Sequence, residues 1–243
     1  ECSEYVKDIS NEDHIKGYLQ GFTTTPTSYI MCIRESSFTN ATSNYVWLQE
    51  INKSTGQLVK YNFLELGHAN SVAYNSNTNE LYVNIHSKYV NDELISTNEI
   101  AIIDYLTFQI KEIITPNEEI ERVSSVSYDN KNNILAIGSA YKIYIMEDFN
   151  TISREITLEY PNLITNPLNN SGSYQNFVLF DNYIYVTRMN ANGINIFDIN
   201  GNFIKNIYDF NIDVPIDMQE LESIAVEENG VIYFGSVQTS GSD

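Results

Sequence analysis

A short segment recurs five times along the 243-residue chain at nearly equal spacing. Each copy has an apolar or small residue, a polar residue, a small or polar residue, and then an apolar residue that opens a strand-like run. The polar members are Gln20, Asn70, Ser124, Gln175 and Glu222, with spacings of 50, 54, 51 and 47 residues. Repetition at this period is typical of propellers and solenoids, in which each repeat is one supersecondary unit.

The sequence within each repeat predicts four short antiparallel strands. Runs rich in Val, Ile, Tyr and Phe are separated by clusters of Asn, Asp and Gly, which favour turns. In the second repeat, runs 71–74 and 81–85 form a first hairpin, and runs 100–103 and 108–113 form a second. Asn200-Gly201 predicts a type I′ hairpin turn. We therefore expect an all-β chain, a five-bladed β-propeller of four-stranded antiparallel blades, as a single domain over residues 1–243.

The fifth repeat is shorter than the others. After the run 231–237 only six residues remain, too few for two further strands. A propeller has to close, because otherwise edge strands stay unpaired. We expect the N-terminal tail, from Tyr5 onward, to add an outer strand to the last blade, so that the closure lies between the N- and C-terminal segments. A partly helical tail or a further C-terminal piece would be the alternatives.

The charge balance restricts the partners. The chain has 32 acidic and 13 basic residues and a net charge of −19. Nucleic acid and anionic membrane surfaces are poor partners for such a chain, because both attract clustered Lys and Arg. The charge either steers cationic partners or only keeps the protein soluble. No window of 18 apolar residues is present, so the sequence predicts no membrane span. We also expect the protein to be a monomer.

The two cysteines, Cys2 and Cys32, suggest one disulfide that joins the N-terminal tail to the first blade. This pairing is expected if the protein is secreted or on the cell surface. In the cytosol both residues would be ordinary thiols.

The segment Leu66 to Asn75, which reads LGHANSVAYN, resembles a segment of secreted propeller proteins of Gram-positive bacteria, including helveticin-like bacteriocins. This resemblance covers about ten residues, around Gly67-His68-Ala69-Asn70, and implies a secreted or cell-surface propeller more than any activity. The segment Tyr18 to Phe22 resembles the Gln-Gly segment of five-bladed glutaminyl cyclases. The other residues of that family are not matched, so its activity is not carried over.

In a propeller, the residues that enter the innermost strands surround the central channel at one face. The five polar repeat starts would form a ring there, and a second layer would lie two residues earlier in each repeat. The predicted ligand-binding residues of the two layers are Gln20, His68, Asn70, Arg122, Ser124, Gln175, Glu220 and Glu222. Such a set can bind a small polar ligand. An oxygen-rich ring also suits Ca²⁺ or Mg²⁺, and bound water is the alternative.

Catalytic motifs are absent from the sequence. No His-Glu-x-x-His, Walker loop or Gly-x-Ser-x-Gly is present. His68 could act as a general base with Glu220 or Glu222, or it could only fix a loop by hydrogen bonding, and His14 and His86 are expected outside the ring. The segment 198–202 looks like the start of a Ca²⁺ loop, but its spacing favours a hairpin turn. Long polar loops are expected at Lys88–Asn98 and Pro161–Ser173.

Two kinds of function compete. The first is an extracellular ligand-binding or recognition propeller, possessing a polar central-channel site and belonging to a larger surface protein, a toxin or a bacteriocin. Its partner would be a small polar ligand, a glycan or a surface protein. The second is a propeller enzyme acting on a glycan or a peptide terminus. Glycoside cleavage needs two carboxylates that flank a bond, whereas Glu220 and Glu222 share one strand, so the sequence favours a binding module over an enzyme.

Overall fold

The structure, a computed structural model, describes residues 17–35, 44–139, 142–159, 174–188, 191–208, 219–227 and 229–238. These residues form strands, turns and connecting segments, without a helix, so the described part of the chain has no helix that could cross a membrane. The N-terminal tail that was predicted to close the propeller lies outside the described residues, and so does the predicted loop 161–173.

Four antiparallel sheets of four strands follow one another along the chain, each in chain order. Sheet 1 consists of β1 (Gly17–Thr24), β2 (Ser28–Glu35), β3 (Tyr45–Asn52) and β4 (Leu58–Glu65). Sheet 2 consists of β5 (Val72–Asn75), β6 (Glu80–Val90), β7 (Glu93–Asp104) and β8 (Ile110–Ile114). Sheet 3 consists of β9 (Ser125–Asp129), β10 (Ile134–Ser139), β11 (Lys142–Asp148) and β12 (Thr151–Thr157). Sheet 4 consists of β13 (Tyr174–Phe180), β14 (Tyr183–Arg188), β15 (Ala191–Asp198) and β16 (Phe203–Tyr208).

Sheet 5 has two antiparallel strands among the described residues, β17 (Gln219–Val226) and β18 (Ile232–Gln238). The first strands of the five sheets contact one another in cyclic order: β1 with β5, β5 with β9, β9 with β13, β13 with β17, and β17 with β1. The arrangement is propeller-like, and each predicted repeat corresponds to one sheet. The prediction of four-stranded blades is confirmed for four of the sheets.

The hydrophobic core lies between neighbouring sheets. Alternate side chains of the inner and middle strands pack against the next sheet, as the period of a strand requires. The fully buried residues Leu48 of sheet 1, with Leu81 and Ile103 of sheet 2, belong to one cluster, and similar clusters follow between the later sheets. Burial of these apolar surfaces is the main force that holds the sheets together.

Cys32 is part of the core between sheets 1 and 2. It is a free, fully buried thiol, and burial raises its pKa to about 12. The structure therefore gives no support to the predicted Cys2–Cys32 disulfide, and Cys2 itself lies outside the described residues.

Two predicted connections differ from the sequence interpretation. The prediction of a type I′ turn at Asn200-Gly201 is wrong. A type I′ turn needs positive φ at both central residues, and here only Gly201, with φ of +87°, has it. The turn has a Gly201 N–H to Asp198 O hydrogen bond of 3.0 Å, so the segment is a hairpin turn and not a Ca²⁺ loop. The excursion Lys88–Asn98 is not a loop either. It is a hairpin in which β6 and β7 stay paired up to Val90 and Glu93.

Candidate functional site

The innermost strands all begin at the same end of their sheets, which we call the ring face. In β1, β13 and β17 the pairing register shifts at one residue, and these residues are Gln20, Gln175 and Glu222. Ser124 holds the same place in sheet 3, since its N–H donates to Gly138 O while Ser125 is the partner of Gly138 in the ladder. A bulge re-aims the side chain of the extra residue. Four of the five predicted repeat starts are thus equivalent positions in the backbone.

The burial of the ring differs from one member to the next. Gln20 is 7% exposed and Glu222 is 8% exposed, whereas Asn70 and Ser124 are half-buried. The strands locate Gln175 and Glu220, but their side chains lie outside the described part of the structure, as does Ser173. The described ring therefore offers one carboxylate, two amides and a hydroxyl.

Directly after the ring comes a layer of buried positions: Gly21, Ser71, Ser125, Asn176 and Ser223. Asn176 is the largest of them. Its Nδ2 donates to Asn70 O at 3.2 Å and to Ser223 Oγ at 3.4 Å. Since β13 and β5 are not neighbours in the cyclic order, this side chain reaches across the central axis to sheet 2. The amide of Asn176 closes the axis below the ring.

A small cavity of about 20 Å³ lies on the other side of Asn176. Its lining includes a residue from each of the five inner strands, namely Thr23, Val72, Val126, Phe177 and Ile224. A space of this size holds about one water molecule. This cavity is therefore too small for a larger ligand.

A second layer at the ring face contains two imidazoles and two guanidinium groups. The His68 and His86 rings are edge-to-face with centroids 6.0 Å apart. Arg122 donates a hydrogen bond to His86 Nε2. Arg34 pairs with Tyr18 in the β1–β2 ladder and acts electrostatically on His68. The prediction that His86 lies outside the site is wrong, because β6 extends past the ring and carries His86 to the second layer.

Both imidazoles are held in the neutral form at pH 7. Burial and the charge of Arg34 lower the pKa of His68. Burial, followed by Arg122 and His68, lowers the pKa of His86 to about 4. The predicted pairing of His68 with Glu220 or Glu222 stays a prediction, since the side chain of Glu220 lies outside the described part of the structure.

The backbone around His68 is tightly constrained. Gly67 has φ of +58°, and a Cβ on it would lie 2.2 Å from Ser87 O, so a side chain cannot be accommodated there. The N–H of Gly67 donates to Asn44 O at 2.8 Å, and that of His68 donates to Ser87 O at 3.1 Å. These contacts fix the Gly67-His68-Ala69 segment against β6 and hold His68 beside His86.

Sequence reasoning missed several residues of the site. Asn84 is fully buried in β6; its Oδ1 accepts from Ser71 N at 2.7 Å and its Nδ2 donates to Ser124 O at 2.9 Å. It thereby ties the second and third ring positions together. An Asn between Val83 and Ile85, within a predicted inner hairpin, could have indicated a buried polar side chain from the sequence. Arg34 and Asn176 have no such signal, since their roles depend on strand pairing across repeats.

Among the residues that the structure describes, no group of three or more His, Cys, Asp or Glu side chains could hold a metal ion. The expectation of Ca²⁺ or Mg²⁺ in the channel thus stays a prediction, for which the described ring supplies Glu222, amide oxygens and a hydroxyl.

Comparisons with known proteins concern the fold. No family model matches the sequence, and no curated protein matches it. Among solved structures, the glutaminyl cyclase of Myxococcus xanthus is similar, with a TM-score of 0.61 and 12% identity over 90% of this chain and 86% of that one. Hydrazine synthase of Kuenenia stuttgartiensis has a TM-score of 0.45 and 10% identity, over 81% of this chain and 51% of that one. At 12% identity, the likeness to the cyclase is one of fold alone.

Proposed function

We propose that the protein is a closed five-bladed propeller that binds a small polar ligand at its ring face and acts as an extracellular recognition module. The cyclic contacts of the five inner strands, and a cavity lined by all five, support the closed arrangement. The resemblance of Leu66–Asn75 to secreted propellers supports the extracellular location. The glutaminyl cyclase likeness supports the fold.

The observation that carries the proposal is a polar ring above an axis that Asn176 closes. Bulges present Gln20 and Glu222 at one height, and the amide of Asn176 limits how deep a ligand can reach. The ring thus places polar groups directly above the point where Asn176 spans the axis. Carboxylate and amide oxygens accept hydrogen bonds, so the fitting ligand carries donor groups such as an amine, an amide or several hydroxyls.

A binding screen at neutral pH tests the proposal with glycinamide, N-acetylglucosamine and Ca²⁺ as probes, followed by isothermal titration of any that bind. We expect Glu222→Gln and Asn70→Ala each to lower the affinity for the bound probe by about tenfold or more, because a hydrogen bond to a charged or buried group is lost. Glu155→Gln is the control, since Glu155 lies on β12 and pairs with Lys142 at 2.9 Å on an exposed surface. Unchanged affinity in both ring variants would place the ligand elsewhere.

An enzyme that acts on a peptide terminus is the second candidate. It is favoured by the shared fold with a glutaminyl cyclase and by a buried carboxylate, Glu222, in the ring. The test is incubation with a peptide that begins with a glutaminyl residue, analysed by mass spectrometry for cyclisation. Turnover that disappears in Glu222→Gln or in His68→Ala supports this candidate. Turnover that survives both changes eliminates the ring as its active site.

A further inference from the structure

Arginine is concentrated at the ring face of an otherwise acidic chain. The chain has a net charge of −19 and contains four arginines. Arg34 is the next-to-last residue of β2, Arg188 ends β14, and Arg122 precedes β9, so three of the four lie at that end of the sheets. The fourth, Arg154, lies on β12 and donates to Ile199 O and Asn200 Oδ1 of the next sheet. The arginines of the chain are therefore concentrated at the ring face, next to carboxylates such as Glu222.

Four of these basic side chains form a connected arc from sheet 1 to the segment before sheet 3: Arg34, His68, His86 and Arg122. Arg122 donates to His86, the ring centroids of His86 and His68 are 6.0 Å apart, and the charge of Arg34 lowers the pKa of His68. One acidic side chain of the adjoining hairpin, Glu99, is paired with Lys88 at 2.7 Å, and the tip of the hairpin also carries Asp92 and Glu93. Two cations held beside two imidazoles attract an anion.

A buried donor in this arc adds a separate indication. Arg122 donates to Nε2 of His86, so the neutral ring carries its hydrogen on Nδ1. That Nδ1 atom is buried and has no hydrogen-bond partner within the described residues. A buried polar group without a partner is costly, so a small rearrangement that lets an acceptor group reach Nδ1 would be favourable.

We propose that the arc of Arg34, His68, His86 and Arg122 binds an oxyanion, a carboxylate or phosphate group of the ligand held at the ring face. Guanidinium groups bind both kinds of oxyanion through paired N–H donors, whereas a neutral imidazole adds one directional donor. The inference deepens the proposed function and rests on it for the location of the ligand. The ring then recognises the donor groups of that ligand, and the arc recognises its acidic group.

The experiment titrates inorganic phosphate and, separately, acetate into the intact protein at constant ionic strength set with NaCl. Imidazole ¹H–¹⁵N NMR signals of His68 and His86 report binding at the arc. We expect saturable shifts of both rings, and Arg122→Gln should weaken the binding by about tenfold or more. Arg122→Lys keeps the charge but loses the planar guanidinium group, so its affinity should lie between those of the wild type and Arg122→Gln. Arg154→Gln is the matched control and should leave the affinity unchanged.

The arms of the titration separate the sources of the oxyanion. Binding of phosphate alone assigns a phosphoryl group, whereas binding of both anions assigns a carboxylate-sized site, and either supports the proposal. Absence of saturable shifts with both anions, or an equal loss in Arg154→Gln, overturns it. Because Arg122 is exposed, its variants retain the fold even if Arg34→Gln does not. Glu222→Gln tests the ring separately: if it abolishes probe binding but leaves phosphate affinity intact, the two sites are independent.

Discussion

Glu50 is a buried carboxylate in the contact between sheets 1 and 2. Its Oε1 accepts from Ser28 Oγ at 2.7 Å and from Tyr105 OH at 2.6 Å, and its Oε2 lies 3.1 Å from Lys60 Nζ. Three donors from two sheets thus meet on one side chain. We expect Glu50→Gln to lower the free energy of unfolding by about 2–3 kcal/mol in urea titrations, since the charge-assisted bonds are weakened and Lys60 loses its partner. Glu155→Gln, in an exposed pair, should change it by less than about 0.5 kcal/mol.

The same residue makes stability depend on pH. Burial raises the pKa of Glu50, but the hydrogen bonds from Tyr105, Ser28 and Lys60 outweigh burial and lower it below the ordinary value of 4.5. A lowered folded-state pKa contributes stability above the unfolded-state value, and this contribution is lost as the pH falls through the folded-state value. The stability difference between the wild type and Glu50→Gln should therefore be constant near pH 7 and shrink below about pH 4.5. A difference that stays constant down to pH 3 would contradict this assignment.

At the level of single residues, the repeat period predicted the ring positions and, two residues earlier, His68 and Arg122, but it did not predict the residues that contact them from other strands. Gln20, Glu222 and Ser124 were found because they recur at a fixed period, and the bulges keep that period in the backbone. His86 was misplaced because its position depends on how far β6 continues past the ring, which the polar run after it did not indicate. Asn176 stood beside a predicted ring member, but only the three-dimensional arrangement shows that it reaches sheet 2.

Two hairpin turns of the same construction offer a test at the level of elements. In the β15–β16 turn Gly201 N–H donates to Asp198 O, and in the β17–β18 turn Gly230 N–H donates to Glu227 O. Both glycines have positive φ, +87° and +81°. A Cβ on Gly201 would lie 2.2 Å from Thr157 O of sheet 3, whereas a Cβ on Gly230 meets nothing within 4 Å.

We expect Gly230→Ala to lower the free energy of unfolding by about 1 kcal/mol, which is the strain of an alanine at positive φ. Gly201→Ala should lower it by about 3 kcal/mol, since sheet 3 must also move. Thermal unfolding of both variants measures the difference. Equal losses would mean that the turn of sheet 4 can move away from Thr157 without consequence.

The strands themselves were predictable, and their turns were less so. Alternating apolar residues identified the hairpins of sheets 2 to 4 because one face of every strand packs on a neighbouring sheet. Within the described ranges, the two-residue turns with both residues at positive φ are Asn91-Asp92 and Asp181-Asn182. Neither contains glycine, and the Asn-Gly pair that favours this turn adopts another one. Short side chains of Asn and Asp tolerate the left-handed region, so glycine is a sufficient signal but not a necessary one.

At the scale of the molecule, sheet 5 meets sheet 1 through a cluster around Lys53. This lysine pairs with Glu227 at the end of β17, donates to Thr25 O, and lies 5.5 Å and 5.6 Å from the ring centroids of Tyr29 and Tyr233. Ser223 Oγ adds a hydrogen bond of 3.4 Å to Phe22 O. The contact between the last and first sheets is therefore both polar and aromatic.

We expect Lys53→Met to lower the free energy of unfolding by about 1–2 kcal/mol and to speed amide hydrogen exchange in β17 and β18. The matched control is Lys131→Met. Lys131 pairs with Asp181 at 2.7 Å and both side chains are exposed, so this change should alter the free energy of unfolding by less than about 0.5 kcal/mol. Unchanged exchange in sheet 5 would show that Lys53 does not hold the closing contact.

The overall arrangement followed from spacing alone, since five repeat starts correspond to five sheets. The completion of sheet 5 stays a prediction, because the N-terminal tail expected to add an outer strand lies outside the described residues. Hydrophobic alternation predicts which strands exist but not which distant segment lies beside an edge.

The layer that contains Asn176 has a consequence for the symmetry of the repeats. The five positions of this layer surround one axis, and the amide of Asn176 already spans it to reach Asn70 O. Five identical repeats with Asn at this position would therefore crowd the axis. Four repeats carry Gly or Ser at this height, and only one carries Asn. An exchange that placed Asn at position 71 would bring two amides into the space of one. Divergence among the copies is therefore a packing requirement at this height, and the repeats are not interchangeable.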